Sequence, residues 1–537
     1  MRYATASLFV VVFLAGVSVM GLEMSASRLI APFFGSTLSV WTSLIGLILA
    51  LLTVGYYAGG AIADRWPRRG VLAALVLGAG AVTCLVPYLS GWVLDRSWAA
   101  TPKIGILGSS LVGTLVLFLV PVTLLGCVPP FSMRLYLTDL ERTGRSAGRL
   151  YAVSALGSIV GTFIPALITI PLFGVRKSIL FFGLLLIASA LTLIGRSRPG
   201  RIGAGGTAAL LLAVGLPTLA AHPVGLGPMM PTQGMILDRE SAYNYIRVVK
   251  GGDESVPAEM RPTFMIVDNG AFSVYQPGAV LTGAYYDYLL LAPLLRPEPP
   301  ARVVRRALII GSGAGTSAKQ LTAIYGPIAI DSVEIDPAIV ELGREYFAMN
   351  EPNSQVHVTD GRWFVAHTPR RYDLVMLDAY QQSDIPLHLA TREFFTLLRE
   401  KMTGRGTLAI NVAWVTPKQG EVLQALCATL RAVFPNVWYA EIGGTSGVIY
   451  AAGEGASREF LLRNARLSGS APLLEVARQA APRLRVARWR SPVLTDDRSP
   501  INKMVDRMYR QVMAQRAEIL RGMLVRTASS TQTPPAR

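Results

Sequence analysis

Charge is scarce in this sequence. Asp, Glu, Lys and Arg supply 16% of its 537 residues while apolar types supply 51%, and the mean hydropathy is +0.42. That balance is unusual for a wholly soluble protein, so part of the chain is expected in a membrane. Acidic residues are scarcest in the first 222 positions, which hold 5 Asp or Glu against 16 Lys or Arg. The net charge of +17 therefore belongs mostly to that apolar region. No basic stripe interleaved with aromatics accompanies it, so no nucleic-acid partner is expected. Cysteine is also rare: Cys84, Cys127 and Cys427 are scattered, the first two within apolar segments. Neither a disulfide framework nor a metal site is expected from them. The length exceeds that of one domain.

What the chain does have is long apolar runs. Ala6 to Met20 lacks a small-residue cleavage site and is followed by more of its kind, which marks a first membrane helix and not a secretory signal. Stretches close to the spanning length of about 20 residues recur at 39–62, 71–94, 104–128, 150–173, 178–195 and 204–221, making seven candidates. Gly55 with Gly59, and Gly157 with Gly161, are spaced for close helix packing. Glu23 and Arg28, at the end of the first run, are costly there unless paired or facing a cavity, so packing and transport roles both stay open.

The stretch Gly59-Gly60-Ala61-Ile62-Ala63-Asp64-Arg65-Trp66-Pro67-Arg68-Arg69 resembles the cytoplasmic loop between the second and third helices of major facilitator transporters. Positive charge agrees. The N-terminus and the loops after even-numbered runs carry eleven arginines, against five basic residues on the other side, which puts the N-terminus in the cytoplasm. Seven crossings would carry everything after residue 222 out of it, leaving the side of the C-terminal region unresolved.

Composition changes at 220–234, a linker rich in proline and glycine. Met235 to Lys250 and Thr263 to Tyr275 read as strands of a small β region. From Ala307, strand and helix patterns alternate, with strands at 307–310, 328–335, 355–358, 373–377, 407–412, 437–442 and 447–452. Alternation of this kind predicts a mostly parallel, Rossmann-like sheet covered on both faces, with ligands at the carboxyl ends of its strands. The centre of this region is Ala307-Leu-Ile-Ile-Gly311-Ser-Gly313-Ala-Gly315-Thr-Ser317, a buried strand running into a glycine-rich turn and then a helix from Ala318 to Tyr325. About twenty residues on, Val333-Glu334-Ile335-Asp336 supplies the acid that would hold two ribose hydroxyls. Asp360, before Gly361, is placed to accept from an adenine amino group, and Asp378 would face the reacting end of the ligand. Each acid could instead cap a helix; three in register at successive strand ends favour a nucleoside site.

These residues resemble the spermidine synthase family, in the bacterial form that fuses a multi-helix membrane region ahead of the synthase-like domain. The likeness covers nearly the whole chain. It rests on Glu240-Ser241-Ala-Tyr243-Asn-Tyr-Ile246-Arg-Val248, Tyr285-Tyr-Asp287-Tyr-Leu289 with Pro293-Leu294, the glycine loop, Val333 to Asp336, Asp360-Gly361 and Asp378. Gly148-Arg-Leu-Tyr151-Ala and Leu494-Thr-Asp496-Asp497-Arg-Ser-Pro500 resemble signatures of the fused branch. The resemblance implies a transmembrane bundle followed by a class I methyltransferase-like α/β domain in the bacterial inner membrane. The implied reaction moves an aminopropyl group from decarboxylated S-adenosylmethionine to an amine such as putrescine. No cofactor would be permanently bound, and ordinary S-adenosylmethionine stays open as the co-substrate. Gly311, Gly313, Gly315, Glu334, Asp360 and Gly361 would bind the nucleoside and Asp378 would accept the proton, with Tyr285 and Asp287 on the amine side. The partners implied are a small amine or polyamine and the lipid bilayer, with a homo-oligomer through the membrane helices left open.

Departures accompany the likeness. An acid of the family's glycine loop is replaced by Ala314, a glutamine by Phe272, a histidine by Leu291 and a second acid by Gln381. Each removes a contact to a cationic amine of about 1.5–3 kcal/mol. Asp384, Asp496 and Asp497 are candidate replacements on the amine side, although the last two also suit a turn before a helix capped at Ser499-Pro500. The expected divisions are a transmembrane domain of about seven helices over 1–222, a linker and β region over 223–300, a nucleoside-binding catalytic domain over 301–500, and a basic helix with a disordered tail over 501–537. The alternative function is a catalytically degenerate domain that binds a nucleoside or polyamine and regulates or feeds the membrane region. A transporter with an accessory domain ranks behind both.

Overall fold

The computed structural model describes residues 2–194 and 229–507, apart from 36–37, 138–142, 231, 253–254, 269, 300–303, 380–385, 414–419, 443–445, 502–503 and 505–506. The candidate span at 204–221, most of the expected helix from Ile501 and the tail beyond lie outside the described residues. The chain divides into two compact units, Met1–Pro231 with Glu240–Tyr243, and Thr232–Arg239 with Asn244–Arg537.

The first unit is helical: α1 Arg2–Phe34, α2 Leu38–Arg65, α3 Arg69–Ala99, α4 Thr101–Gly126, α5 Val128–Tyr136, α6 Thr143–Ile164, α7 Ile170–Phe173 and α8 Val175–Ile194. Among the described residues these make six helical stretches long and apolar enough to cross a membrane, with α4 and α5 forming one and α6 and α7 another. The first is longer than its sequence pattern suggested. Apolar, buried Leu29, Ile30, Phe33 and Phe34 carry α1 onward, so Glu23 and Arg28 lie inside the helix and not at its end. The paired glycines set the closest approaches. A Cβ on Gly157 or Gly161 of α6 would strike the carbonyl oxygen of Phe13 or Val17 on α1, and Gly55 and Gly59 of α2 lie equally close to the backbone of Thr123 and Cys127. Small residues at four-residue spacing let such backbones meet.

The second unit holds two sheets. Residues expected as two strand regions form four strands, β1 Met235–Glu240, β2 Tyr245–Lys250, β3 Thr263–Val267 and β4 Gly270–Tyr275, in sequential order. The eight-stranded sheet uses β5 Arg306–Ile310, β6 Ala329–Glu334, β7 Ser354–Val358, β8 Tyr372–Leu377, β9 Met402–Ala413, β10 Asn436–Ile442, β11 Ser446–Ala452 and β12 Arg485–Val486. Its order is β12-β10-β11-β9-β8-β5-β6-β7. The strands from β9 to β7 are parallel, while β10 and β11 add antiparallel partners at one side.

Alternation along β5 explains the layers. Leu308 and Ile310 join one apolar core, whereas Ala307 and Ile309 join the other. The first core is closed by α12 Gly361–His367, α13 Arg392–Glu400 and α14 Glu421–Arg431; the second by α10 Thr316–Tyr325, α15 Phe460–Leu467 and α16 Ala471–Ala480, with the short α9 Tyr285–Leu289. A third cluster joins β2 and β3 to α11 Pro337–Tyr346 through Ile246, Val248, Met265, Ile339 and Leu342. From β5 the chain winds outward through β6 and β7, then returns to start β8 on the other side of β5. That reversal opens a crevice between the ends of β5 and β8, where this architecture takes its ligands.

Candidate active site

The turn after β5 must reverse direction within hydrogen-bonding distance of two neighbouring strands. Gly311, Gly313 and Gly315 all have positive φ, +81°, +53° and +91°. At Gly311 a side chain would also collide with the Asp378 carbonyl, so the loop and the end of β8 touch only because position 311 lacks a Cβ. The amides of Gly311 and Ser312 donate to the Val333 carbonyl at 2.9 and 3.0 Å, and the Asp378 amide donates to the Ile310 carbonyl at 2.8 Å. The ends of β5, β6 and β8 are thus tied together.

Glu334 ends β6 and is buried. Its Oε2 accepts from the Gly313 amide at 3.0 Å, and its Oε1 from the amides of Ile335 and Asp336 at 3.0 and 3.1 Å. Burial pushes its pKa up to about 7 against the pull of those amides. Asp336 caps α11, accepting from Ala338 at 3.0 Å and from Asn244 at 2.8 Å.

Asp378 is half-buried just beyond β8. Its Oδ2 accepts from the Tyr285 hydroxyl at 3.0 Å and its Oδ1 from Asn411 Nδ2 at 2.8 Å. Burial is the main cause that raises its pKa to about 7; the two donors oppose the rise and the Glu334 charge adds to it. Tyr285 packs against Tyr286 at 4.1 Å between ring centroids, and burial together with the Asp378 charge holds both phenols well above their ordinary pKa. The arrangement is a weakly acidic carboxyl with two neutral hydrogen-bond donors, suited to exchange a proton near neutral pH.

The other predicted residues fall in different places. Asp360 caps α12, with Oδ1 accepting from the Trp363 amide at 2.8 Å and Oδ2 2.9 Å from His388 Nε2; Gly361 follows it, buried. Asp287 is buried, and its carboxylate accepts from the Thr282 amide and hydroxyl, the Gly283 amide and Gln320 at 2.6–3.0 Å. Four donors organise that carboxylate around the turn before α9 and leave little of it for an amine. Asp496 is held by Arg362, and Asp497 is exposed. Asp384, Gln381 and the side chain of Phe272 lie outside the described residues. Ala314 and Leu291 are both buried, Ala314 in the cluster of Ile246 and Val248 and Leu291 beneath the sheet.

Sequence reasoning passed over Asn411 and Tyr286. Asn411 was discoverable: it interrupts the apolar run Leu408-Ala-Ile-Asn411-Val412, and the parallel register pairs Leu377 with Ile410, which sets Asn411 level with Asp378. Tyr286 carried no separate signal, since its place beside Asp378 depends on how α9 packs.

Strand order, glycine loop and paired carboxylates at the switch point define a Rossmann-like domain of the class I methyltransferase type. Residues 296–442 match the spermine/spermidine synthase domain family. The chain is 33% identical over 305 residues to a probable polyamine aminopropyl transferase of Bifidobacterium longum, covering 53% of this chain and 65% of the relative, just under two thirds of its length. It is 25% identical over 406 residues to a polyamine aminopropyltransferase of Mycobacterium tuberculosis, covering 67% of this chain and 73% of that one. Among solved structures, a probable spermidine synthase from Corynebacterium glutamicum aligns with 18% identity and a TM-score of 0.37, over 50% of this chain and all of that one.

Proposed function

We propose that the chain is a membrane-bound transferase that moves an aminopropyl group from decarboxylated S-adenosylmethionine to an amine such as putrescine. The observation that carries this reading is Asp378, a carboxyl at the switch point gripped by Tyr285 and Asn411, with its pKa pushed up to about 7. In the reaction the amine nitrogen's lone pair forms a bond to the carbon attached to the sulfonium. The carbon–sulfur bond breaks and its electron pair neutralises the sulfur as a thioether. The proton shed by the nitrogen goes to Asp378. Glu334 holds the ribose hydroxyls once the ligand displaces its bond to the Gly313 amide, and Asp360 receives the adenine amino group. Gly311, Gly313 and Gly315 let the backbone come close to the donor.

The test is release of methylthioadenosine by the full chain in nanodiscs, supplied with putrescine and either decarboxylated or ordinary S-adenosylmethionine. Asp378→Asn should lower kcat/KM by at least about 10²-fold, the usual scale for removing a general base. An unaltered rate in that variant sinks the reading.

Ala314 favours a second reading. A buried alanine in an apolar cluster offers no carboxylate to the donor's ammonium, which supports a domain that binds its nucleoside without turnover. Binding of methylthioadenosine with no product from any amine would select it.

A further inference from the structure

The segment from Leu494 to Pro500 is not used in the mechanism above, yet it is fixed in detail. Leu494 is fully buried; its amide donates to the Thr429 hydroxyl at 2.9 Å and its carbonyl accepts from the Arg392 amide at 2.8 Å. Asp496 lies on the surface with both oxygens occupied. Arg362 grips them as a fork, Nη1 to Oδ1 at 2.8 Å and Nη2 to Oδ2 at 2.6 Å, and the Thr391 hydroxyl donates to Oδ1 at 2.7 Å. The Asp496 amide donates to Glu393 Oε2 at 3.0 Å. These partners hold its pKa down at about 2.

Arg362 is two residues past Asp360, and its Nη1 also donates to the His388 carbonyl at 3.2 Å. The His388 ring in turn meets Asp360 Oδ2 at 2.9 Å. A continuous path therefore runs from Asp496 through Arg362 and His388 to Asp360. With Oδ1 committed to the Trp363 amide, the direction in which Asp360 offers its remaining lone pairs is set by where His388 stands.

We infer that Asp496, Arg362 and His388 form a positioning relay that aims Asp360 at the exocyclic amine of an adenine-type base, and that Asp496 is a positioning residue and not an amine ligand. The inference rests on the reading of Asp360 given above. An exposed ion pair contributes little to folding by itself. The relay therefore shows itself in base recognition more than in stability.

The experiment uses the full chain in nanodiscs. Calorimetry measures binding of methylthioadenosine and of methylthioinosine, which lacks the exocyclic amine, alongside donor and amine KM, kcat and Tm. Wild type should prefer methylthioadenosine by tenfold or more. Asp496→Asn and His388→Ala should each lose most of that preference by weakening methylthioadenosine about tenfold, leaving methylthioinosine unchanged. Donor KM should rise in parallel, with kcat falling less than threefold, amine KM constant and Tm within about 2 °C. Arg362→Lys, which keeps charge but not the fork, should behave like Asp496→Asn.

Retained preference in Asp496→Asn and Arg362→Lys overturns the relay while leaving the transferase reading intact. A rise in amine KM alone overturns it too, returning Asp496 to the amine side. Failure of wild type to bind methylthioadenosine at all removes the nucleoside reading and the relay with it.

Discussion

Asp378 is held between opposing pulls, and their balance fixes its chemistry. Burial favours the neutral acid, while the Tyr285 hydroxyl and the Asn411 amide favour the carboxylate. The base must be ionised to accept a proton, so kcat/KM should rise with pH to a midpoint near 7 and then level off. Tyr285→Phe removes a donor that stabilises the charge and should move that midpoint upward in a pH–rate profile. The same shift bears on stability. The folded pKa of Asp378 lies above its ordinary value, so its contribution is fully present below about pH 4 and is lost as pH rises through about 7. Asp378→Asn should therefore raise Tm at pH 8 relative to wild type, by an amount that vanishes near pH 4. A scan of Tm against pH checks this. The sequence made Asp378 visible, because an acid ending an apolar strand is conspicuous. It could not show the donors, which reach that acid from α9 and β9 only after the sheet has formed.

Two glycine devices operate at the level of elements. At Gly311 both the positive φ and the contact with the Asp378 carbonyl exclude a side chain. Left-handed backbone costs a non-glycine residue about 1–2 kcal/mol before any clash. Gly311→Ala should lower Tm by several degrees and abolish nucleoside binding, while Gly404→Ala, with open space around it, should do neither. In the helical unit Gly161 meets the Val17 carbonyl, so Gly161→Leu must part α6 from α1 and should lower the thermal stability of the detergent-solubilised protein. Periodicity marked most of these elements closely. The expected strand at 307–310 is observed at Arg306–Ile310, and that at 437–442 at Asn436–Ile442. The first helix was read short because Glu23 and Arg28 resemble an end signal; buried apolar residues beyond them override it.

For the whole molecule the open quantity is the number of crossings. Six helical stretches of spanning length are described, and an even number returns the chain to the side on which it began. An adenosyl donor is a cytoplasmic metabolite in the proposed reaction, and the positive loops put the N-terminus in the cytoplasm. Paired reporters that work only inside or only outside, fused after Leu193 and after Arg537, should both report the cytoplasmic side. An external report after Arg537 would count against the transferase reading and for the binding module.

The sequence by itself determined which residues are apolar and at what period. From that follow the helical unit, the alternating strands, the glycine turn and the acids at strand ends, because local backbone preference and burial are written residue by residue. Tertiary structure alone decided which acids share a site. Asp378 and Glu334 end adjacent strands of the sheet interior and meet across the switch point. Asp287 lies next to Tyr285 in sequence, yet its oxygens are taken by the turn at Thr282 and Gly283 and by Gln320. Asp496 is drawn to Arg362, 134 residues earlier. Hydrogen-bond partners at such separations depend on strand order and helix packing, which no local pattern records.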